Sequence, residues 1–328
     1  YILTYEIDQK HGTSYHKRFL DFLKYVQQED LMVAAGMTDP KGDRSLPPHK
    51  QPDPDLYLHV VDRNDEGIVV RGAKAHQTGA VNSHEIVVVP TSALREEDRD
   101  YAVAFAVPVD TPGVFFIFGR QTNDGRKEEP FAIDQGNAKY GVVGGEALIV
   151  FEDVFVPWER VFMCGEYDMA GRGVEIFAST HRQNYGGCKV GAMDVLIGAS
   201  SLLASYQGTR AASHIRDKLV EMVHLNETLY GCALAAGLES SATPSGAYFA
   251  HQLLANVVKQ NVTRFLYEIC RLAHDIAGGI VATLPSERDY RDPKLGAYIE
   301  KYFRAASGVA TEERMRVIRL IEAMTGGT

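Results

Sequence analysis

The 328-residue chain has few cysteines, and those few lie far apart. Cys164, Cys188, Cys232 and Cys270 form no CxxC pair. A disulfide framework is therefore disfavoured, and the pattern is typical of a protein in the reducing cytoplasm. We predict a cytoplasmic location.

A surplus of basic residues is also missing. The chain has 34 Lys and Arg residues against 43 Asp and Glu residues, a net charge of −9. This balance argues against non-specific nucleic-acid binding, whose usual footprint is a basic surface. No apolar run approaches the roughly 18–20 residues that span a bilayer, and residues 1–6 do not form a signal peptide. We expect binding to neither nucleic acid nor membrane.

Both ends of the chain lack ordinary boundary signals. There is no initiating Met, and the last residues directly follow a charged amphipathic run. The composition, 45% hydrophobic and 23% charged, is ordinary for a soluble globular protein, and the length suits about two domains. We therefore expect a fragment of a longer protein.

Strand-like runs dominate the first half of the chain. Residues 15–30 have a helical period of apolar side chains. β-Branched and aromatic runs separated by turn signals then follow at residues 56–61, 67–70, 85–89, 101–107, 114–118 and 147–151. Six short strands with no helix between them predict an antiparallel barrel or sandwich.

The chain becomes helical after Pro157, with predicted helices at residues 173–206, 213–238, 248–277 and 311–324. One apolar stripe runs from Ile215 to Ala233, as in a helix bundle. Asn226 lies in this stripe, and we expect its amide to form structural hydrogen bonds because buried amides need partners. The predicted fold is α+β and multidomain, with a remnant of an N-terminal helical domain at 1–30, an antiparallel β-barrel at 31–163 and an incomplete helical bundle at 164–328.

One segment of the predicted helix at residues 173–206 carries the most informative pattern. Seven helical residues make nearly two turns, so His181, Tyr185 and Cys188 would share one face. An imidazole and a thiolate are good ligands for a soft metal centre. Gly186 and Gly187 each disfavour a helix by about 1 kcal/mol relative to Ala, which suggests that a bulky group approaches the backbone there. Taken alone, a His and a Cys at this spacing are more often a coincidence of core or surface than a metal site, since buried cysteines are common.

Several motifs carry a family resemblance. The order of helix, β-domain and helical bundle resembles the acyl-CoA dehydrogenase-like flavoproteins, in which FAD lies between the β-domain and a four-helix bundle. Residues 37–45 (MTDPKGDRS) and 67–79 (GIVVRGAKAHQTG) resemble the 4-hydroxyphenylacetate 3-hydroxylase superfamily. The family of 4-hydroxybutyryl-CoA dehydratases is resembled more specifically by residues 181–188, 224–230 (HLNETLY), 259–265 (KQNVTRF) and 275–279 (DIAGG).

The resemblance implies dehydration of 4-hydroxybutyryl-CoA to crotonyl-CoA and isomerisation of vinylacetyl-CoA. It implies FAD and a [4Fe–4S] cluster held by three cysteines and one histidine. His181 and Cys188 would be two of these ligands, and a CxxxC pair upstream of this chain would supply the other two. A further catalytic glutamate of the family lies beyond the last residue. The resemblance also implies an acyl-CoA thioester substrate and a homotetramer.

The resemblance further implies flavin contacts from two loops and the third long helix. Each group has a plain structural alternative: a surface turn for the first loop, a strand-end turn for the second, and a helix C-cap for the glycine pair, which is compatible with a contact to FAD of a neighbouring subunit. Backbone N–H groups in such loops can also hold a flavin or phosphate. The implied residues are Thr38, Asp39, Pro40, Lys41, Gly42, Asp43, Arg44, Ser45, His76, Gln77, Thr78, Gly79, Asn261, Arg264, Gly278 and Gly279.

Four residues are the candidates for catalysis. Glu146 matches a family active-site glutamate, and burial near the cofactors would raise its pKa to that of a useful base; a solvated carboxylate at a strand start is the alternative. Tyr185 would donate a hydrogen bond or support radical chemistry, or simply pack in the core. Lys189 would stabilise negative charge on the thioester or flavin. We hypothesise that His181 is both an iron ligand and the base for the β-proton.

Two other functions remain open. The wider superfamily hydroxylates phenols with reduced FAD and O₂, a chemistry that needs no cluster and gives Cys188 no role. An inactive fragment is the third possibility.

Overall fold

The computed structural model describes residues 1–119, 132–134 and 146–326. They fall into two compact units. The sheet unit contains residues 1–119, 146–178 and 241–249, and the helical unit contains residues 132–134, 179–240 and 250–326. Residues 1–30 therefore group with the strands, and the three-part division expected from the sequence stays a prediction.

The elements are as follows, in chain order. The helices are α1 (Ile2–His11), α2 (Tyr15–Gln28), α3 (Tyr167–Tyr206), α4 (Ser213–Leu238), α5 (Gln252–Ala277), α6 (Ile280–Thr283), α7 (Glu287–Arg291), α8 (Leu295–Tyr302) and α9 (Thr311–Gly326). The strands are β1 (Val33–Gly36), β2 (His59–Arg63), β3 (Gly67–Gln77), β4 (Glu85–Val88), β5 (Val103–Pro108), β6 (Val114–Phe118), β7 (Ala147–Pro157), β8 (Val161–Cys164), β9 (Ser241–Ala242) and β10 (Tyr248–Phe249).

The first eight strands form two open sheets, ordered β1-β4-β5-β8 and β2-β3-β7-β6. The α+β class is confirmed, but the predicted antiparallel barrel is wrong for the described residues. Each sheet ends in edge strands and does not close on the other, and β1 pairs with β4 in parallel. The edge strands β1 and β8 have four residues each, and they are defined by their pairing with β4 and β5, which are distant in the chain.

The core of the sheet unit lies on the inner faces of the strands. Along β7, Ile149, Phe151, Val154 and Val156 are buried. Side chains alternate with period two within each half of the strand, and a register shift between Phe151 and Val154, where Asp153 has φ 51°, brings both halves back to the same buried face. The rings of Phe105 and Phe151 meet edge to face with centroids 5.8 Å apart, so β5 of one sheet packs on β7 of the other.

The core of the helical unit joins α3, α4, α5 and α9. The predicted stripe on α4 is confirmed, since Ile215, Met222 and Leu229 are buried. Asn226 is buried among them and donates to Asp194 Oδ1 (2.7 Å) and to the Val190 carbonyl (3.3 Å). The expected structural role of this amide is therefore confirmed.

Element boundaries differ from the prediction where a local signal was misleading. Helix α3 starts six residues before the predicted position, because Gly171 and Gly173 do not interrupt it. The predicted helix at residues 248–277 includes Tyr248. In the structure Tyr248 pairs with Ala242 in a short hairpin, and α5 starts at Gln252.

Within the part of the chain that the structure describes, one helix is long and apolar enough to cross a membrane by length and composition alone. The most apolar 18-residue window of α3 has a mean hydropathy of 1.3, and 39% of that window is buried. Core helices of soluble proteins meet the same criterion, so a single such helix is a weak indication.

Candidate active site

Helix α3 presents the predicted His–Tyr–Cys face. It continues without a break from Tyr167 to Tyr206, so the three side chains lie on one side of it. The rings of His181 and Tyr185 are in edge contact, with centroids 4.8 Å apart. His181 and Cys188 are exposed and Tyr185 is half-buried. The imidazole and the thiol are thus both accessible to a ligand.

Helix packing explains only one of the two glycines of this segment. A Cβ on Gly186 would lie 1.9 Å from the Cβ of Ala233 on α4. Gly186 is therefore required by the close approach of two helices, and the expectation that a bulky ligand explains it is wrong. For Gly187, the nearest described atom to such a Cβ is Asn184 Oδ1, at 3.7 Å. Packing within the described chain does not require Gly187.

The face carries a concentration of positive charge. Desolvation lowers the pKa of His181, and the nearby cations Lys259, Lys189 and Arg182 lower it further. The Nζ of Lys259, on α5, lies 5.1 Å from the centroid of the Tyr185 ring, within range of a cation–π contact. This environment favours the neutral imidazole, the form that binds a metal or accepts a proton. The sequence does not predict Lys259 as a site residue, because only the packing of α5 brings it close to Tyr185.

Among the four cysteines, Cys188 is best suited to bind a metal. It is the exposed one. Burial raises the pKa of the Cys164 and Cys270 thiols, which disfavours their thiolates. Cys232 accepts a hydrogen bond from the Asn261 amide at 3.7 Å.

His181 and Cys188 fit an iron–sulfur cluster in their chemistry, but they are only part of a ligand set. Thiolate and imidazole nitrogen are both donors that iron accepts. Within residues 1–119, 132–134 and 146–326, no group of three or more His, Cys, Asp or Glu side chains could hold a metal ion. The described chain thus supplies two donors of suitable type on one face of α3.

The two predicted flavin loops lie against each other in the sheet unit. The backbone N–H of Ala75 donates to the Thr38 carbonyl at 2.7 Å. The Gln77 amide donates to the same carbonyl at 3.2 Å and accepts from the Met37 N–H at 3.4 Å. Since Gln77 is buried, its side chain holds the loops together and is occupied by backbone groups.

The first loop is pinned from inside by a residue that the sequence did not single out. Buried Gln51 accepts from the Asp43 N–H (3.0 Å) and donates to the Asp43 and Leu46 carbonyls (2.7 and 3.1 Å). Gly42 has φ 48°, and a Cβ there would lie 2.4 Å from Leu56 Cδ2. The loop therefore has one defined shape, with the side chains of Lys41, Arg44 and Ser45 exposed.

Lys74 ties the same loop to the sheet. Its buried Nζ donates to Asp39 Oδ1 (2.5 Å), to the Val89 carbonyl (3.0 Å) and to the Met37 carbonyl (3.1 Å). Desolvation lowers the pKa of Lys74, and the Asp39 carboxylate opposes that change. The sequence does not indicate this role of Lys74, because its partners are distant in the chain.

The second loop has an unusual backbone. His76 has φ 57° at the irregular end of β3, where the pairing with β7 shifts register. A non-glycine residue in this region is strained and often marks a functional site. Thr78 is exposed beside Gly79, which has φ 72°. The side chains of His76 and Thr78 are therefore both on the surface.

The remaining predicted residues are spread more widely. Glu146 is half-buried just before β7, where its carbonyl accepts from the Gly119 N–H at 3.0 Å; Gly144 and Gly145 lie outside the described residues. Gly278 caps α5 with φ 73°, which confirms the C-cap reading. About 20 Å of helix separates Arg264 from Gly278 at 1.5 Å per residue. These two therefore cannot contact the same small group.

Comparisons with known proteins identify the family of the chain. The family model described as 4-hydroxyphenylacetate 3-hydroxylase N terminal matches residues 1–163, and the corresponding C terminal model matches residues 170–328. The chain belongs to the 4-hydroxyphenylacetate 3-hydroxylase family. It is 56% identical, over 97% of its length, to the 4-hydroxybutyryl-CoA dehydratase/vinylacetyl-CoA-Δ-isomerase of Clostridium aminobutyricum, and it covers 66% of that protein. It is 27% identical, over 99% of its length, to a 4-hydroxyphenylacetate 3-monooxygenase oxygenase component of Thermus thermophilus, again covering 66%.

Solved structures of family members have the same fold. The structure of an archaeal 4-hydroxybutyryl-CoA dehydratase from N. maritimus matches 99% of the chain with a TM-score of 0.96 and 53% identity, and the chain covers 65% of it. An oxygenase component of 4-hydroxyphenylacetate 3-monooxygenase complexed with FAD matches 98% of the chain with a TM-score of 0.85 and 25% identity, with 66% of that protein covered. A glutaryl-coenzyme A dehydrogenase, 14% identical, matches 89% of the chain at a TM-score of 0.54, with 60% of it covered, which shows the fold alone.

This family member therefore carries two candidate groups, one in each unit. The sheet unit holds the paired loops around Thr38 and Thr78. The helical unit holds the face of α3 with His181 and Cys188. The chain spans slightly less than two thirds of the relatives that it matches.

Proposed function

We propose that the protein containing this chain dehydrates 4-hydroxybutyryl-CoA to crotonyl-CoA and isomerises vinylacetyl-CoA. The observation that carries the proposal is the exposed His181–Tyr185–Cys188 face with its surrounding cations, in a chain 56% identical to the clostridial dehydratase/isomerase. The acyl-CoA thioester is accordingly the proposed substrate.

We further propose that the protein binds FAD and a [4Fe–4S] cluster. His181 and Cys188 would hold the cluster together with two cysteines outside this chain. The loops at Thr38–Ser45 and His76–Gly79, with Asn261, Arg264, Gly278 and Gly279, would contact FAD. When bound, these groups would supply one-electron transfer and a Lewis acid for the poor hydroxide leaving group. The FAD complexes of family members support the flavin assignment.

Residues of this chain would accept protons from the substrate and stabilise its negative charge. His181, whose pKa is lowered by desolvation and then by its cationic neighbours, would accept the β-proton at an imidazole nitrogen. Lys189 and Lys259 would stabilise negative charge on the thioester oxygen, because an ammonium group attracts charge that develops nearby. Tyr185 would donate a hydrogen bond from its phenol, whose pKa is raised by burial and by Cys188. Glu146 is proposed as the base for the α-proton.

The experiment is the anaerobic purification of the full-length protein with its variants. We expect iron, flavin and dehydratase activity in the wild type, and loss of iron in Cys188→Ser. The control Cys232→Ser is expected to keep its iron. His181→Cys is expected to keep iron but lose turnover, since thiolate would replace the ligand and not the base. An intact cluster with undiminished turnover in His181→Cys would refute the double role of His181, and an active wild-type protein without iron would refute the cluster.

A second candidate function is a flavin monooxygenase. It is favoured by the 27% identity to an oxygenase component over 99% of the chain and by the TM-score of 0.85 to an FAD complex. Hydroxylation of a phenol by the iron-free protein with reduced FAD and O₂ would support it. In that case Cys188→Ser would retain full activity.

We also propose a cytoplasmic homotetramer. The side of α4 opposite its buried stripe is apolar and exposed, at Val220, Val223, Tyr230, Leu234 and Leu238. Exposed apolar patches of this kind mark protein–protein contacts. Native mass measurement tests the subunit number, and Leu234→Glu is expected to favour smaller species.

A further inference from the structure

The ring of Tyr185 is in contact with a cation from another helix. The Nζ of Lys259, on α5, lies 5.1 Å from the centroid of this ring, within range of a cation–π contact. The ring of His181 meets the same phenol ring in edge contact, with centroids 4.8 Å apart. Tyr185 therefore has an imidazole and an ammonium group as direct neighbours.

The charge of Lys259 is not neutralised by a carboxylate. Among the residues that the structure describes, Lys259 forms no ion pair. The carboxylates of α5 itself are bonded elsewhere: Glu268 is paired with Arg271 at 2.6 Å. Asp275 is paired with Lys218 at 3.0 Å. Lys259 is also half-buried, and a cation–π contact is stronger where water is excluded. The positive charge is thus available to act on the tyrosine ring.

Helix packing holds the ring and the ammonium group close together. Tyr185 packs against a buried cluster of side chains from α4 and α5. This cluster includes Val258, which directly precedes Lys259 and is fully buried. One turn earlier on both helices, Arg182 donates to Asn256 Oδ1 at 2.5 Å. The contact between Tyr185 and Lys259 is therefore part of the packing of α3 on α5.

The cation distinguishes between the two roles expected for Tyr185, a hydrogen-bond donor and a carrier of a radical. One-electron oxidation removes electron density from the π-face, which is the part of the ring that attracts a cation. Positive charge that develops on the ring is also repelled by the ammonium group 5.1 Å away. Oxidation of Tyr185 is therefore less favourable than oxidation of a tyrosine without a neighbouring cation. Donation of a hydrogen bond requires no such charge.

We propose that Lys259 protects Tyr185 from one-electron oxidation during turnover. The inference rests on the proposed function, whose one-electron transfer forms an organic radical of the thioester substrate. In the side reaction that is prevented, the phenol gives one electron to this radical and its proton to water. A neutral tyrosyl radical and a reduced substrate remain, and the catalytic cycle ends without product. Lys259 thus keeps the Tyr185 O–H available as a hydrogen-bond donor, in addition to stabilising charge on the substrate.

The first test looks for a tyrosyl radical in the full-length protein with its cofactors. Wild type and variants are mixed anaerobically with 4-hydroxybutyryl-CoA, frozen during turnover and measured by electron paramagnetic resonance. Lys301→Met is the matched control, because the Nζ of Lys301 also lies 5.1 Å from a tyrosine ring centroid, that of exposed Tyr302 on α8. We expect about tenfold more tyrosyl radical in Lys259→Met than in the wild type, and no increase in Lys301→Met.

Two further variants assign the signal to the contact. Adding Tyr185→Phe to Lys259→Met is expected to remove the radical, and ring-deuterated tyrosine is expected to narrow its spectrum. Lys259→Arg is expected to resemble the wild type, because a guanidinium group also forms cation–π contacts. A lower rate alone would follow from lost charge stabilisation on the thioester, so the radical signal decides. The proposal is overturned if Lys259→Met turns over substrate with no more tyrosyl radical than the wild type.

A second measurement does not depend on turnover. Neutral azidyl radicals formed by radiolysis oxidise tyrosine by one electron, and their encounter with the protein does not depend on its charge. Peptide mass spectrometry then measures the oxidised fraction of Tyr185. We expect about a tenfold increase in Lys259→Met. Little change is expected at Tyr302 in Lys301→Met, because water screens an exposed contact. If urea unfolding shows that Lys259→Met is not folded, Lys259→Gln takes its place.

The two measurements separate failure of this proposal from failure of the proposed function. Greater azidyl oxidation of Tyr185 in Lys259→Met, in a protein without dehydratase activity, would support the effect of the cation and refute the proposed function. Dehydratase activity with equal oxidation of Tyr185 in wild type and Lys259→Met, in both measurements, would refute the protective role and leave the proposed function intact.

Discussion

Adding one methyl group to each of two adjacent glycines on α3 should have opposite effects on stability. In Gly186→Ala the new Cβ would lie 1.9 Å from the Cβ of Ala233, about half the normal separation of roughly 3.5–4.0 Å between carbon atoms. In Gly187→Ala the nearest described atom lies at 3.7 Å, an ordinary contact. The pair therefore separates helix packing from helix propensity within one turn.

The magnitudes follow from two terms. Overpacking costs roughly 1–3 kcal/mol, and Gly186→Ala belongs at the upper end because neither Cβ can rotate away. The gain in helix propensity from Gly to Ala, about 1 kcal/mol, offsets part of this cost. We expect Gly186→Ala to lower the free energy of unfolding by about 2 kcal/mol and Gly187→Ala to raise it by up to about 1 kcal/mol.

Urea unfolding of the cofactor-free protein, followed by circular dichroism, measures both changes. Ala233→Gly removes the opposing methyl group, so it should recover much of the loss in the Gly186→Ala background beyond its own effect on the wild type. Equal changes for the two alanine variants would refute the packing argument. Iron content is a separate readout: if a cluster approaches the backbone at Gly187, Gly187→Ala would bind less iron while being the more stable protein.

Three further changes test other parts of the structure. Lys74→Met should lower the free energy of unfolding by roughly 3–5 kcal/mol in urea titrations, because it leaves Asp39 without its buried partner, and Asp39→Asn in the same protein should recover part of the loss. Lys259→Met should raise the pKa of His181 in an NMR titration of the metal-free protein, since a positive neighbour is removed. The lowered pKa of His181 stabilises the fold above the ordinary histidine value of 6.5, and this contribution is lost as the pH falls below it; in Lys259→Met that loss should be smaller. Asn226→Asp would place a second carboxylate beside Asp194 and should cost about 3 kcal/mol at neutral pH, and less at a pH where carboxylates are protonated.

The sequence pattern predicts those structural features that local interactions determine. Helix α4 begins at Ser213 and ends at Leu238 as expected, and β6 spans residues 114–118 as expected. Strand β6 is an unbroken apolar run bounded by turn signals, and α4 carries a recurring apolar stripe. The shared face of His181 and Cys188 was predictable for the same reason, because helix geometry alone fixes it.

Long-range packing determined what the sequence could not predict. Closure of a barrel depends on how edge strands pair, and no local pattern in the four residues of β1 or β8 contains that information. Lys74 and Lys259 contact residues distant in the chain, so their neighbours become visible only in the folded structure. The sequence correctly predicts a close approach to the backbone at Gly186, but the predicted cause, a bulky ligand, is wrong. A glycine in the sequence does not show whether a ligand or a helix packs against it.

The internal bonds of the Asp39–Ser45 loop have a kinetic consequence. The Asp43 N–H is bonded to Gln51 and the Ser45 N–H to Asp43, so the loop is ordered by its own protein before any ligand arrives. A ligand that meets an ordered loop loses no affinity to the entropy of arranging it. Its association would then be limited by encounter and electrostatic attraction and not by loop rearrangement. By holding the loop in one shape, buried Gln51 therefore affects the rate at which a ligand can bind to the exposed surface of the loop.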